Sequence, residues 1–191
     1  MRKVVGLGLA MLLSISVLTG CSSNTPKANK EKEEEKEADT VGIWKEAEIQ
    51  IDGETFKLPL ENSKKLIKLG YTCPDYGTRL PDRMYTDTSI TNNKGLIISA
   101  KIKNFDMEET KLMEDCDVTE FTIEKENVGT SEIIFPGGLT WDATADEVVK
   151  VLGEAKYVAD DKTLIIYEEG GVIRLEFNFY EGAMTRFRMF K

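Results

Sequence analysis

From Ala47 onward the chain alternates apolar and polar residues with a period of two. Ile49 and Ile51 share one side, Asp52-Gly53 supplies the positive-φ pair of a tight hairpin, and Phe56 and Leu58 resume the alternation until Pro59 ends it. Ser63 to Leu69 changes to helical spacing, with Leu66, Ile67 and Leu69 as its apolar positions and Gly70 as its stop. Beyond a polar loop holding Pro74, Gly77 and Pro81, the pattern predicts strands over Met84–Ile90, Leu96–Phe105 and Val118–Glu124, the first two joined by Asn93-Lys94-Gly95. The second half is more sharply punctuated. Thr144-Ala145-Asp146-Glu147 has the form of a capping box, Val148, Val151 and Leu152 make one helical face, and Gly153 closes it. Strands over Thr163–Tyr167 and Ile173–Phe179 follow, and after Glu181-Gly182 a last strand points Phe187 and Met189 inward, Arg186 and Arg188 outward. The fold class predicted is α+β: two similar lobes, residues 41–125 and 126–191, each a short helix packed on an antiparallel sheet. Leu66-Ile67-Lys68-Leu69-Gly70 and Val149-Lys150-Val151-Leu152-Gly153 would be the trace of a duplication.

The first forty residues follow neither period. Met1-Arg2-Lys3 opens an apolar run, Val4–Leu18. As a helix that run covers about 22 Å, short of the roughly 30 Å hydrocarbon core. A basic start and a short apolar run have the form of a signal peptide, residues 1–20. Leu18-Thr19-Gly20-Cys21 resembles the lipobox of bacterial lipoproteins: an aliphatic residue, a small pair that admits the peptidase, then the cysteine. The resemblance implies cleavage before Cys21 and acylation of its thiol. The anchor would hold the chain at the extracytoplasmic face of the cell membrane, with the several acyl chains that durable attachment needs. Residues 21–40 then read as a charged tether. Ser22 to Thr40 holds no aromatic or branched aliphatic side chain, so ordering it gains nothing against chain entropy.

Charge and composition narrow the function. The chain carries 25 Lys+Arg against 34 Asp+Glu, and a signal removed with Arg2 and Lys3 leaves 23 against 34. An acidic balance argues against nucleic acid, which is bound through concentrated Lys and Arg. Histidine is absent from the sequence; this excludes Ser-His-Asp and Cys-His nucleophile pairs, His-liganded zinc and a His general base. Acids gather at Asp75, Asp82 and Asp87, at Glu114-Asp115-Cys116-Asp117 and at Asp160-Asp161, but none of these segments has the ligand spacing of a calcium loop. No catalytic residue, metal or cofactor is expected.

Candidate contacts lie elsewhere. Cys73 and Cys116 could form a disulfide outside the cytoplasm or stand as two separate small apolar residues. Tyr71, Tyr76 and Tyr85, with Arg79 and Arg83, crowd one loop; exposed, such residues dominate interfaces, and buried, the tyrosines would cover a lobe edge. Arg174, Arg186 and Arg188 share one sheet face, as an island for an acidic partner or as partners of neighbouring acids such as Glu176. Replacing Arg186 and Arg188 by glutamate is expected to leave the fold intact. Trp141 reads as a core or staple residue before the second helix, and Trp44 as a cover for the first hairpin or an exposed ring. Gly138-Leu139-Thr140, Thr144-x-x-Glu147-Val148 and Leu152-Gly153 followed by three strands resemble small lipoproteins of the SmpA/OmlA type and the repeats of the β-lactamase-inhibitory-protein-like fold. That resemblance, over about Gly138 to Phe190, implies a helix on a sheet whose exposed face contacts another protein. The expected function is a lipid-anchored binding module for a protein or envelope polymer. The alternative is a cell-wall hydrolase using paired carboxylates.

Overall fold

The period-two segments become a mostly antiparallel α+β fold in the computed structural model, which describes residues 42–191. Cys21, the signal segment and the tether up to residue 40 lie outside the described residues. The first hairpin joins β1 (Glu48–Ile51) to β2 (Glu54–Lys57) through Asp52 and Gly53, at φ of 54° and 84°. Positive φ at both positions matches the right-handed twist of the strands on either side. α1 (Lys64–Lys68) is followed by β3 (Arg79–Leu80), β4 (Tyr85–Thr91), β5 (Ile97–Lys103), β6 (Lys111–Leu112) and β7 (Asp117–Glu124). Then come β8 (Ile133–Ile134), α2 (Ala145–Leu152), β9 (Tyr157–Val158), β10 (Leu164–Glu169), β11 (Ile173–Tyr180) and β12 (Ala183–Phe190).

A seven-stranded sheet runs in the order β4-β5-β7-β12-β11-β10-β9, all neighbours antiparallel. The strands before and after residue 125 therefore join through the β7–β12 pair, where Phe187 faces Ile123 and Met189 faces Phe121. A smaller sheet, β2-β1-β8, and a two-residue pair, β3-β6, complete the strands. Alternation along the large sheet gives it one apolar face: Ile90, Ile98, Ile102, Phe121, Ile123, Phe177, Phe187 and Met189 are fully buried. The small sheet reaches that face through Phe56, whose ring meets Phe121 edge-on at 6.3 Å. Phe135, just after β8, lies 4.7 Å from Phe187 and 6.4 Å from Phe177. Trp44 covers Tyr167 at 5.5 Å, nine-tenths buried. Burying each of these rings contributes about 1.5–3 kcal/mol, so the core that joins both sheets dominates stability.

The capping box forms as read. Thr144 Oγ1 accepts from the Glu147 amide at 3.3 Å, and the Glu147 carboxylate accepts from the Thr144 amide at 2.8 Å. A cap hydroxyl of this kind is worth about 0.5–2 kcal/mol. Val148 and Leu152 are buried, and the Tyr167 hydroxyl donates to the Gly153 carbonyl at 3.0 Å, holding the far end of α2 on the sheet. Gly137 presses against α2 at φ 76°; a Cβ there would stand 2.4 Å from Val151 Cγ1, so any other residue would have to displace Val151 and hold a strained backbone.

α1 departs from the sequence reading. Leu66 is buried, but Ile67 and Leu69 are exposed, because a five-residue helix turns only one side chain onto the core. Its entry is fixed instead by Ser63, whose amide donates to the Cys116 carbonyl and whose hydroxyl donates to the Met113 carbonyl.

Candidate functional site

The polar half of each alternation forms the other face of the seven-stranded sheet. Across it, charges of opposite sign follow one another from strand to strand. Lys101 on β5 sits 3.6 Å from Glu120 on β7. Arg188 on β12 grips both oxygens of Glu120, Nε at 2.8 Å and Nη2 at 3.1 Å, and its Nη1 lies 3.6 Å from Glu176 on β11. Arg174 Nε is 2.6 Å from Glu176, and its Nη1 donates to Glu168 on β10 at 3.3 Å. Lys156 closes the row on Glu168, and Arg186 pairs separately with Glu124 at 3.1 Å.

The three arginines thus share one face, as the alternation requires, and their charge is matched by acids on neighbouring strands. Arg188 is two-thirds covered and lies between Glu120 and Glu176, whose side chains are only 15% and 12% exposed. Arg188→Glu would crowd three carboxylates there, so the expectation that this reversal spares the fold is corrected: like charges at close quarters repel, and the two acids lose their partner.

Burial raises the Glu120 carboxyl, but the hydrogen bond and charge of Arg188, with Lys101, outweigh it and hold it below the usual carboxylate range. Glu168 is lowered chiefly by its bond to Lys156. A carboxyl depressed in the folded state adds stability above its unfolded value that fades as pH falls through the folded value. Glu120→Gln is therefore expected to be less stable than wild type at pH 7, with the gap narrowing towards pH 3. Urea midpoints at both pH values check this; an unchanged gap would mean that Glu120 is not held ionised.

At the end of this face bounded by Tyr85 and Lys103 lies a groove of about 710 Å³. Period two places Lys101 and Lys103 on one side of β5, opposite buried Ala100 and Ile102, and delivers Phe105 just beyond it. Lys101 Nζ stands 5.0 Å from the centre of the Tyr85 ring and Lys103 Nζ 4.5 Å from that of Phe105. Such cation–π contacts are worth about 0.5–1 kcal/mol where solvent reaches them. Pairing between β5 and β7 shifts at Lys101/Ile102, leaving Thr119 as the extra residue in β7. A bulge re-aims the side chains around it, and Thr119 and Glu120 both line the groove. β12 adds Arg188, Phe190 and Lys191, and the turn between β10 and β11 adds Gly171 and Val172.

Of the residues singled out in the sequence, Tyr85 and Arg188 meet in this groove. Tyr71 is buried edge-on against Phe56 at 5.9 Å, and burial pushes its hydroxyl up to about 12. Tyr76 is half-buried and donates to the Ser63 carbonyl. These two cover the core, while Arg79 and Arg83 remain exposed. Cys73 and Cys116 are separate buried thiols rather than a disulfide. Cys73 Sγ contacts Thr88 Oγ1 at 3.2 Å, and Cys116 donates to the Leu112 carbonyl at 3.3 Å. Burial pushes the Cys116 thiol up, which keeps it protonated.

The acidic clusters serve as loop fasteners. Asp75 accepts from Thr88, Glu114 from the Gly77 amide, Asp117 from the Asn62 amide and Asp161 from Thr163, while Asp115 pairs with Lys64. Trp141 packs edge-on against Phe135 at 4.7 Å. Among the described residues no group of three or more acids and cysteines is arranged to hold a metal ion, and no helix is long and apolar enough to cross a membrane. Lys103, Phe105, Val172 and Lys191 were not marked by the sequence. The signal for the first two was present in Lys101-x-Lys103-x-Phe105, the polar half of a strand whose apolar half was read. Comparison of the chain with known protein families, curated proteins and solved structures yields no match.

Proposed function

We propose that this chain is a non-enzymatic interaction module, anchored by lipid at Cys21 on the extracytoplasmic face of the cell membrane, and that the open sheet face is its binding surface. The observation that carries the reading is the groove: exposed aromatic rings beside half-exposed lysines, next to a sheet whose other charges are paired off. Exposed aromatic residues in a concave site are the usual anchors of recognition. The reading also holds that the domain is built of two similar lobes. In its support, α1 precedes the meander β4-β5-β7 and α2 precedes β10-β11-β12, and the last strands of both meanders, β7 and β12, pair with each other. The resemblance to SmpA/OmlA-type lipoproteins and β-lactamase-inhibitory-protein-like repeats accords with a helix-backed sheet that presents its free face to another protein.

The hydrolase alternative needs a protonated acid facing a second carboxylate across the scissile bond. The groove holds the single carboxylate Glu120, kept ionised by Arg188 and Lys101, which suits it poorly as a proton donor. Chemical cross-linking on intact cells tests the interaction reading. Wild type is expected to give a discrete cross-linked species that Tyr85→Ser/Phe105→Ser loses while remaining cooperatively folded. Equal yields from both proteins would remove the groove from the reading.

A further inference from the structure

The chemistry of the groove narrows its occupant. Lys101, Lys103, Arg188 and Lys191 line it against the single acidic side chain of Glu120, a side-chain balance of four cations to one acid on a chain with 25 Lys+Arg against 34 Asp+Glu. Lys101 and Arg188 are spent on Glu120. Among the described residues no carboxylate pairs with Lys103, which reaches only the ring of Phe105. Lys191 likewise has no ion-pair partner among them; Glu46, the acid that feels its charge, is bound first to Lys57. Two cationic side chains thus border an apolar surface with no acidic side chain within ion-pair distance among the described residues.

The exposure of that surface selects the kind of ligand. Tyr85, Phe105 and Val172 are each more than half exposed, so a small molecule would leave much of them wet, whereas a protein segment brings a surface of its own to cover them.

Resting on the reading of this face as the interaction surface, we propose that the groove takes an acidic segment of a partner protein. The segment lays an aromatic or branched apolar side chain against Phe105 and Val172 and a neighbouring carboxylate on Lys103 and Lys191. Lysine and carboxylate would then pair where water is partly excluded, so the charges select the partner and the apolar contact retains it.

The test uses the full chain in nonionic detergent and the fluorescein-labelled peptide acetyl-Glu-Asp-Phe-Asp-Leu-Glu-amide, followed by anisotropy. Saturable binding is expected. It weakens at least about tenfold in Lys103→Glu/Lys191→Glu and in about 0.5 M salt, where exposed charges are screened within a few ångströms. A peptide with glycine in place of Phe and Leu is expected to bind more weakly, and one with lysine in place of its acids not at all. The double variant should stay cooperatively folded, with a melting temperature lowered by no more than about 4 °C, since it loses the exposed contact of Lys103 with the Phe105 ring and places a glutamate opposite Asp117. Unchanged binding by that variant, or equal binding of the lysine peptide, would overturn the proposal. So would displacement of the peptide by an equal concentration of phenylacetate or dihexanoylphosphatidylglycerol, which would mark a small-carboxylate or lipid site. A concentration-dependent dimer abolished by the double variant would make a second copy the occupant and overturn it as well. If the peptide fails while a photoreactive residue at position 172 still captures a protein in cells, the interaction reading stands and the acidic occupant falls.

Discussion

Phe187→Ala is expected to destabilise the protein by about 3–5 kcal/mol, the range for removing a fully buried phenylalanine ring. Phe187 is completely buried on β12, the strand at which the two meanders meet, with Ile123 opposite it on β7 and Phe177 opposite it on β11. Its ring lies 4.7 Å from Phe135 and 5.1 Å from Phe177. Truncation removes apolar surface and leaves a hole bordered by rings from two segments and by Ile123 from a third, none of which can collapse without shifting a sheet. Domains of this size are stable by about 5–15 kcal/mol, so the loss is a large share of the total. Guanidinium unfolding followed by tryptophan emission would measure it. Trp44 reports from the neighbourhood of Tyr167 and Trp141 from the edge of Phe135. A change under about 1 kcal/mol would mean that the inner face of the sheet is not packed as described.

Cys21→Ala carries the largest expected effect on where the protein resides. If Cys21 is acylated, the alanine variant is released from the membrane into the medium or accumulates as uncleaved precursor, and a labelled acyl chain no longer enters it. Each buried methylene of an acyl chain contributes about 0.8 kcal/mol, and one chain alone holds a protein only reversibly. Loss of the acceptor thiol therefore changes the distribution almost completely rather than by degrees. Unchanged membrane retention with normal processing would reject the lipobox reading, and with it the anchored half of the proposed function.

Period two alone makes the inner face legible. Ile49 and Ile51, read as sharing one side, and Phe187 and Met189, read as pointing inward, are all buried, because alternation fixes which side of a strand faces the core once one side is apolar. Local signals did equally well: Thr144 and Glu147 form their reciprocal bonds three residues apart. What the sequence withheld was long-range. Nothing local states that β7 will pair with β12 some seventy residues away, or that β8 will close on β1.

The site was less legible for the same reason. Tyr71 and Tyr85 look alike in the sequence, yet Tyr71 lies under the first hairpin against Phe56 and Tyr85 begins an edge strand with its ring exposed. The arginines of β11 and β12 were placed on the correct face, but their neutralisation by Glu120 and Glu124 depends on β7 lying beside β12. The groove itself joins β4, β5, β7, β12 and the β10–β11 turn. Only the assembled sheet gathers them.

The most direct measurement of the groove as an interaction surface is site-specific photo-cross-linking in intact cells, with a photoreactive residue at Val172 and a control at Thr130. Both positions are exposed, and Thr130 is bonded to Lys94 at the turn between β4 and β5, away from the groove. A discrete protein adduct from position 172 is expected, absent from position 130 and lost when Lys103 and Lys191 are changed to glutamate. No adduct at position 172, or the same adduct from both positions regardless of the lysines, would contradict a binding surface at the groove.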